Sequence, residues 1–426
     1  MDFEESFLLR ELYRTKPDYI VYVPSCKGDS SDHGNEHLHV FRGKDGRLCA
    51  LWTMSAFEGT FSQRPVLSCS FDDGRSWTKP KCLLQEAIDP ETGKNMGSWA
   101  APAISRSGRI YLIYCKHTGK KVHHQRGAMA VMFSDDDGET WSKEVIREIP
   151  RTKYDLVDPS EAVDWVVWQK AYRLRSGKVL MGFTRGWLSY PPAPKSWTQH
   201  PCGCEFFRLD NLDEDPDAED LVLTFLTDPE KPLTAPIRNY ENRFCAEEPA
   251  LCQLPDGRLF VVMRTTEGHV WYSVSEDEGV SWRTPEMLRY TDGGEGIEHP
   301  LSPAPMYETA PGEYVLFIHN HDGYGGQKDP QAKGNWRNPL YILRGEYRAG
   351  AHQPVWFSSP VEWMNNGGVS LERNDLAIYG DLTMEKGVPV LWYPDRKFFL
   401  LGRKIPRELL DSMVVPEKGN PPEKKK

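Results

Sequence analysis

The sequence lacks an opening suited to export and lacks any apolar run of membrane length. It begins Met1-Asp2-Phe3-Glu4-Glu5, with neither a basic stretch nor an apolar one behind it. No secretory leader is therefore expected, and no stretch approaches the ~20 apolar residues of a membrane-crossing helix. There is no surplus of positive charge either. The 52 Lys and Arg face 62 Asp and Glu, for a net charge of −10. That balance argues against non-specific nucleic-acid binding. It also disfavours an anionic ligand, unless arginines gather locally. A cysteine framework is missing too. The nine cysteines are odd in number and scattered, and Cys49, Cys69, Cys115 and Cys252 lie inside apolar runs. Buried free thiols in a reducing, cytoplasmic setting are expected, or a secreted protein if a leader was removed. Cys202-Gly203-Cys204 lacks the spacing of a metal site, and His319-Asn320-His321 lacks a third ligand. Neither a metal nor a cofactor is expected.

Aromatics, by contrast, are plentiful, with 14 Trp, 18 Tyr and 17 Phe. One octad recurs. Ser134-Asp135-Asp136-Asp137-Gly138-Glu139-Thr140-Trp141 has the frame Ser-x-Asp-x-Gly-x-Thr-Trp. The same frame holds Ser70, Asp72, Gly74, Ser76 and Trp77, and again Ser275, Asp277, Gly279, Ser281 and Trp282. Each copy follows a strand-like run and precedes another. Asp and Ser side chains can bond nearby amides, and Gly accepts positive φ, so each copy reads as a turn. Asp72, Asp136 and Asp277 are then turn caps without a catalytic or metal role.

The three tryptophans set a period. Trp77 and Trp141 are 64 residues apart, and Trp141 and Trp282 are 141 apart, about twice 70. One unit between them has lost its octad. Dividing 426 residues by this period gives six units. The predicted fold is all-β, a six-bladed β-propeller of four-stranded antiparallel blades. Blade 3 is predicted to open on Gln169 to Leu174. Blade 6 is predicted to run Leu376 to Tyr379, Pro389 to Trp392 and Phe398 to Gly402, one strand short. An N-terminal strand, Tyr19 to Val23 or Phe7 to Leu12, completes it and closes the ring. Residues 1–416 read as one domain. Residues 417–426, rich in Pro and Lys, read as a disordered tail, and Leu209 to Glu219 as an acidic surface loop.

In such a ring the first strands line a channel, so chemistry should sit at their starts and at the ends of second strands. Charges at apolar strand ends stand out there, because burying one unpaired is costly. Glu247 and Glu248 open blade 4, and Arg264 closes its second strand. Arg337 opens the third strand of blade 5. Tyr379-Gly380-Asp381-Leu382 follows the first strand of blade 6. Converging arginines would make a planar clamp for a carboxylate.

The octad is the Asp box, and the chain resembles the sialidase superfamily of propellers over nearly its whole length. In blades 4 to 6 the order Glu248, Arg264, third Asp box, Arg337, Tyr379 is similar to that of retaining exo-sialidases. The resemblance implies that Tyr379 is the nucleophile and Glu248 its base, with Arg264 and Arg337 gripping a sugar carboxylate. It implies an exo-acting glycoside hydrolase whose partner is a glycan with a terminal acidic sugar. A neutral Tyr suits that task, because an attacking carboxylate would be repelled by the carboxylate next to the anomeric carbon.

Blade 1 departs from the family pattern. Its first strand starts near Glu36-His37-Leu38, where the family has an arginine. Glu58, the only carboxylate in the loop from Ser55 to Arg64, is the candidate acid, and Arg64 the candidate third arginine. The departure keeps two alternatives open. His37 could be the catalytic group of a hydrolase or lyase acting on uronate-containing glycans, or the chain could be a non-catalytic carbohydrate-binding propeller. Trp168 and Gln169, at the opening of blade 3, are candidate sugar-contacting residues, and His319 is a candidate ligand contact.

Overall fold

A computed structural model describes all residues except 1–2, 26–29, 120–125, 188, 190–197, 199, 229, 331–336, 368–374 and 420–426. The strands form six antiparallel blades. Blade 1 comprises Gly34–Arg42, Leu48–Ser55, Arg64–Ser70 and Lys81–Cys82; blade 2 comprises Gly97–Ile104, Ile110–His117, Gly127–Ser134 and Val145–Arg147. In blade 3, Trp165–Val166 and Tyr172–Arg173 both pair with Val179–Gly186, followed by Cys202–Leu209 and Leu223–Phe225. Blade 4 runs Glu247–Gln253, Leu259–Arg264, Trp271–Ser275 and Glu286–Met287. Blade 5 runs Met306–Ala310, Glu313–Ile318, Leu340–Tyr347 and Val355–Phe357, with Val361–Met364 also paired to the third strand. Blade 6 runs Asp381–Glu385, Val388–Asp395 and Phe399–Lys404, and Tyr19–Tyr22 is its outer strand. The chain's two ends thus share one sheet, which closes the ring. A large apolar cluster fills each interface between neighbouring blades, including Val40 and Trp52 of blade 1 against Trp392 and Leu400 of blade 6. Burial between blades, at roughly 25 cal/mol per Å² of apolar surface, is the main force holding the ring.

The three octads fold alike. In each, the Ser hydroxyl donates to Asp Oδ1 (2.9, 2.8 and 2.9 Å) and the later Ser or Thr hydroxyl donates to Oδ2 (2.6, 2.6 and 2.5 Å). The Trp indole N–H donates to the glycine carbonyl (3.2, 3.1 and 3.2 Å). The glycines have φ of +85°, +89° and +89°. Each glycine also abuts the preceding blade: Gly74 the Tyr19 and Trp392 rings, Gly138 the Leu67 side chain, Gly279 that of Leu180. The octad is therefore a rim turn that rivets one blade to the one before it.

Two strand assignments change, and one choice between alternatives is decided. Leu376 to Tyr379 is not a strand, because Ala377 and Tyr379 have φ of +54° and +59°; the first strand of blade 6 begins after Tyr379, at Asp381. The first strand of blade 3 is broken in two and starts at Trp165, ahead of Gln169. Of the two N-terminal candidates, Tyr19–Tyr22 pairs with the last strand, whereas Phe3–Leu12 is a helix. The end of the tail, 420–426, lies outside the described residues. The acidic loop is pinned down, with Asp213 accepting two bonds from Arg173 (2.7 and 2.8 Å).

Candidate functional site

The first strands of blades 1, 2 and 4 share one irregularity. Between Glu36 and His39, between Ser98 and Ala101, and between Glu247 and Ala250, three steps along the first strand match two on its partner. The residue after the last regular pair is left-handed in all three: His37 (φ +54°), Trp99 (+54°) and Glu248 (+52°). Such bulges normally hold glycine there, and an L-residue costs about 1–2 kcal/mol. Blade 6 places Tyr379 in the same backbone region just before its first strand. The carbonyl of Tyr379 accepts the amide of Leu38 (3.0 Å), joining the last blade to the first. Gly380 must be glycine, since a Cβ there would lie 2.5 Å from the Trp392 carbonyl.

These bulges bring remote residues together. The Tyr379 hydroxyl donates to Glu248 Oε1 (2.8 Å). Arg264 Nη1 donates to both oxygens of Glu248 (2.8 and 2.9 Å) and to the Tyr379 oxygen (3.2 Å). Arg264 Nε lies 3.0 Å from Glu247 Oε2. The His37 ring stacks on the Tyr379 ring, with centroids 4.0 Å apart and planes at 20°. On the blade 6 hairpin, Lys397 places its ammonium 5.0 Å from the Tyr379 ring centroid. That ammonium also bridges Glu36 and Glu58, at 2.7 Å each. Beside this cluster, a cavity of about 20 Å³ is lined by Asp164, Thr184, His200, Cys202, Glu247 and Glu248. It has room for about one water.

Burial and charge set the proton positions. Burial, then the Glu248 charge, push the Tyr379 phenol well above its ordinary value, against the pull of Arg264. The phenol is therefore neutral, and its proton points at Glu248. Burial works against the Arg264 cation, but Glu248 and Glu247 outweigh it, and the guanidinium titrates well above its ordinary value. Burial raises Glu247, with Arg264 opposing. Burial, then Lys397 and His39, hold His37 well below the usual imidazole range, so its ring is neutral at pH 7. Among the described residues, its Nδ1 has no hydrogen-bond partner. The arrangement can pass a proton from phenol to carboxylate while a guanidinium steadies the charge on either.

Not every candidate joins the cluster. Arg337 is buried near it, and its charge is felt at both Tyr379 and Glu247. Its guanidinium, however, binds the Leu301 carbonyl (2.8 Å) and Asp375 (3.4 Å). Glu58 pairs with Lys397, and its charge is felt at Tyr379 and His37. Arg64 turns away, donating to the carbonyls of Ser62 and Ser31 (3.0 and 3.2 Å). Trp168 is buried, with its indole bonded to the Pro249 carbonyl (3.2 Å) and its edge on Tyr379 (6.4 Å). Gln169 is half-buried and accepts the Leu251 amide (2.9 Å), so both residues brace blade 3 against blade 4. His319 is buried, its Nδ1 donates to the Pro339 carbonyl (3.0 Å), and its ring stacks on His299 at 5.6 Å. Sequence reasoning missed Lys397, Glu36 and Trp99. The signal was present in a charged triplet, Asp395-Arg396-Lys397, set between two apolar strands.

Propellers with this rim turn and a channel-end cluster form a recognisable class, and the chain falls inside it. It belongs to the BNR repeat-like domain family, whose model matches residues 46–358. The fold is similar to that of a Hadza microbial sialidase (TM-score 0.61, 14% identity, covering 91% of this chain and 68% of that one). It is also similar to a protein of unknown function from Dyadobacter fermentans (0.57, 12%, 91% and 97%). A third likeness is to the NanB sialidase from Streptococcus pneumoniae (0.57, 10%, 90% and 69%). Identities this low establish a shared fold. A search of curated proteins gives no match.

Proposed function

We propose that this chain is an exo-acting glycoside hydrolase that releases a terminal acidic sugar, sialic acid being the first candidate. The carrying observation is the triangle of Tyr379, Glu248 and Arg264, closed by contacts of 2.8, 2.8 and 3.2 Å. In this reading Tyr379 Oη attacks the anomeric carbon while its proton moves to Glu248. The bond to the leaving oxygen breaks, and Glu58 gives that oxygen its proton. Water then gives a proton to Glu58 and cleaves the tyrosyl–sugar bond with retention, while Glu248 returns the proton to Tyr379. Arg264 and Arg337 hold the sugar carboxylate. Glu247, with a side chain 21% exposed, is the partner that this carboxylate would displace from Arg264. The resemblance of blades 4 to 6 to sialidases supports the assignment, and the sialidase folds among the similar structures are consistent with it.

A second reading has its own support. A neutral His37, stacked on Tyr379 with a free Nδ1, is suited to act as a base on a uronate-containing glycan. The test is a panel of methylumbelliferyl glycosides of sialic and uronic acids, assayed on the wild-type protein, Tyr379→Phe and His37→Ala. Sialoside cleavage lost in Tyr379→Phe is the expected result. Uronoside turnover that survives Tyr379→Phe and fails in His37→Ala would establish the second reading. Glycan binding without turnover would make the chain a binding propeller.

A further inference from the structure

Behind Glu247, on the side away from Tyr379, lie two thiols that the mechanism does not use. Cys202 opens the third strand of blade 3, and Cys245 sits between the hairpin strand Tyr240–Phe244 and the first strand of blade 4. Their backbones form a parallel bridge, with the Ala246 amide donating to the Cys202 carbonyl (3.3 Å). The Sγ atoms are 3.2 Å apart and both residues are buried. The small cavity beside Glu247 is also lined by Cys202. Together with Glu247, the two thiols keep their potential donor atoms within 4.8 Å of one another.

We propose that Cys202 and Cys245 are a peroxide-sensitive dithiol that closes to a disulfide and thereby weakens the hold of Glu247 on Arg264. One thiol attacks a peroxide oxygen, giving a sulfenic acid and water. The other thiol attacks that sulfur, forming the S–S bond and releasing a second water. Two sulfurs are oxidised and one peroxide O–O bond is reduced, so the balance closes. Closure needs a sulfur approach of roughly 1 Å, which bridged backbones permit. A metal fits the cluster less well. It offers three donors, and one of them, Glu247, is already paired at 3.0 Å with the Arg264 cation.

The consequence runs through proximity. The Cys202 thiol donates to Cys245 Sγ (3.2 Å), and both sulfurs lie within 4.8 Å of a Glu247 carboxylate oxygen. A disulfide has no S–H, so closure moves the sulfurs and removes their polar hydrogens from beside Glu247, which then takes a proton more readily. Arg264 is then left with Glu248 and Tyr379 as its partners in the triangle. The effect on turnover rests on the role given to Arg264 above; the crosslink does not.

The test is peptide mapping by mass spectrometry after treatment with hydrogen peroxide, with remaining thiols alkylated in denaturant. A Cys202–Cys245 linked peptide is expected, lighter by two hydrogens, absent in Cys245→Ala and Cys245→Ser, and reversed by dithiothreitol. If both thiols stay alkylatable while the exposed Cys82 is oxidised, the proposal is wrong. It is equally wrong if stoichiometric bound metal protects both. A linked peptide with an unchanged pH profile for sialoside cleavage would overturn the coupling alone. Absence of any cleavage would bear on the proposed function and leave the crosslink result standing.

Discussion

Replacing Arg264 by Met isolates the charge arithmetic of the site without requiring a substrate. In the wild type one guanidinium faces two carboxylates, Glu248 at 2.8 Å and Glu247 at 3.0 Å, and Arg264 and Glu248 are both buried. The local sum is one negative charge. Arg264→Met keeps the bulk and removes the cation, leaving two carboxylates facing each other with little water. Breaking a buried pair from one side costs about 3–5 kcal/mol. That deficit should appear at pH 7 as a lower urea midpoint with unchanged slope. It should also depend on pH in a set direction. Without Arg264, burial pushes Glu247 further up, so the folded state binds protons that the unfolded chain releases. A raised carboxyl loses stability as pH rises through the window between its unfolded and folded values, so the variant must recover as pH falls. One carboxylate that titrates across pH 7 to 5 returns about 2–3 kcal/mol. Arg264→Met combined with Glu248→Gln should recover part of the loss at pH 7, because one of the stranded charges is gone. A deficit below about 1 kcal/mol at pH 7, or one that is the same at pH 5, would refute the view that Arg264 offsets the charge of Glu248 and Glu247.

Two further predictions concern the frame around the site. Gly138→Ala should cost more than Gly74→Ala. Both pay about 1–2 kcal/mol for positive φ, but only at Gly138 would a Cβ overlap Leu67 outright, adding about 1–3 kcal/mol of overpacking; at Gly74 it meets the Tyr19 ring at 3.1 Å. Equal urea midpoints for the two variants would contradict the rivet role of the octad. The second prediction concerns His39, which burial holds at about 4. Its folded value is below its unfolded one, so its share of stability is complete above pH 6.5 and is lost as pH falls toward 4. By pH 5 the loss is about 2 kcal/mol. His39→Gln should therefore lose about 2 kcal/mol less than the wild type between pH 7 and pH 5, and an identical loss in the two proteins would exclude the linkage.

What could be read from the chain before folding follows the range of the interaction. The octads are local: Ser, Asp, Gly and Trp satisfy one another within eight residues, so their turn and period were legible, and with them the six blades. Glu248 and Arg264 were legible because antiparallel pairing in blade 4 places strand starts opposite strand ends. The break came where backbone irregularity decides. Two left-handed residues keep Leu376 to Tyr379 out of the sheet, and nothing in that tetrapeptide, which lacks glycine, announces it. Lys397 was hidden for a related reason. A lysine in a hairpin turn is normally solvated, and only the ring closure that brings blade 6 against blade 1 supplies Glu36 and Glu58 to receive it. Trp168 and Gln169 pose the opposite case: an aromatic beside an amide at a channel-strand start fits sugar contact as well as it fits packing, and in the fold Trp168 is buried against Pro249 while Gln169 accepts the Leu251 amide.

The repeated bulge bears most directly on function. A closed ring stabilised by apolar interfaces gives each first strand a buried start, and a regular strand would leave alternate side chains facing the neighbouring blades. One extra residue in the left-handed region re-aims a single side chain. Blades 1, 2 and 4 make that move with His37, Trp99 and Glu248, and blade 6 reaches the same backbone region with Tyr379. None of the four is glycine, the residue for which this conformation is nearly free. Four such residues together cost several kcal/mol by the usual ~1–3 kcal/mol each. Strain spread thinly over a large fold could be incidental. Other non-glycine residues of the fold are left-handed too, but these four include a stacked His–Tyr pair and a carboxylate hydrogen-bonded to that Tyr. Glycine at any of the four would relieve the backbone and remove the group, so the strain and the chemistry belong to the same residues. On the proposed reading, the costly conformation is retained at the positions that assemble the Tyr379–Glu248 pair, where a ring needing only stability could have placed glycine.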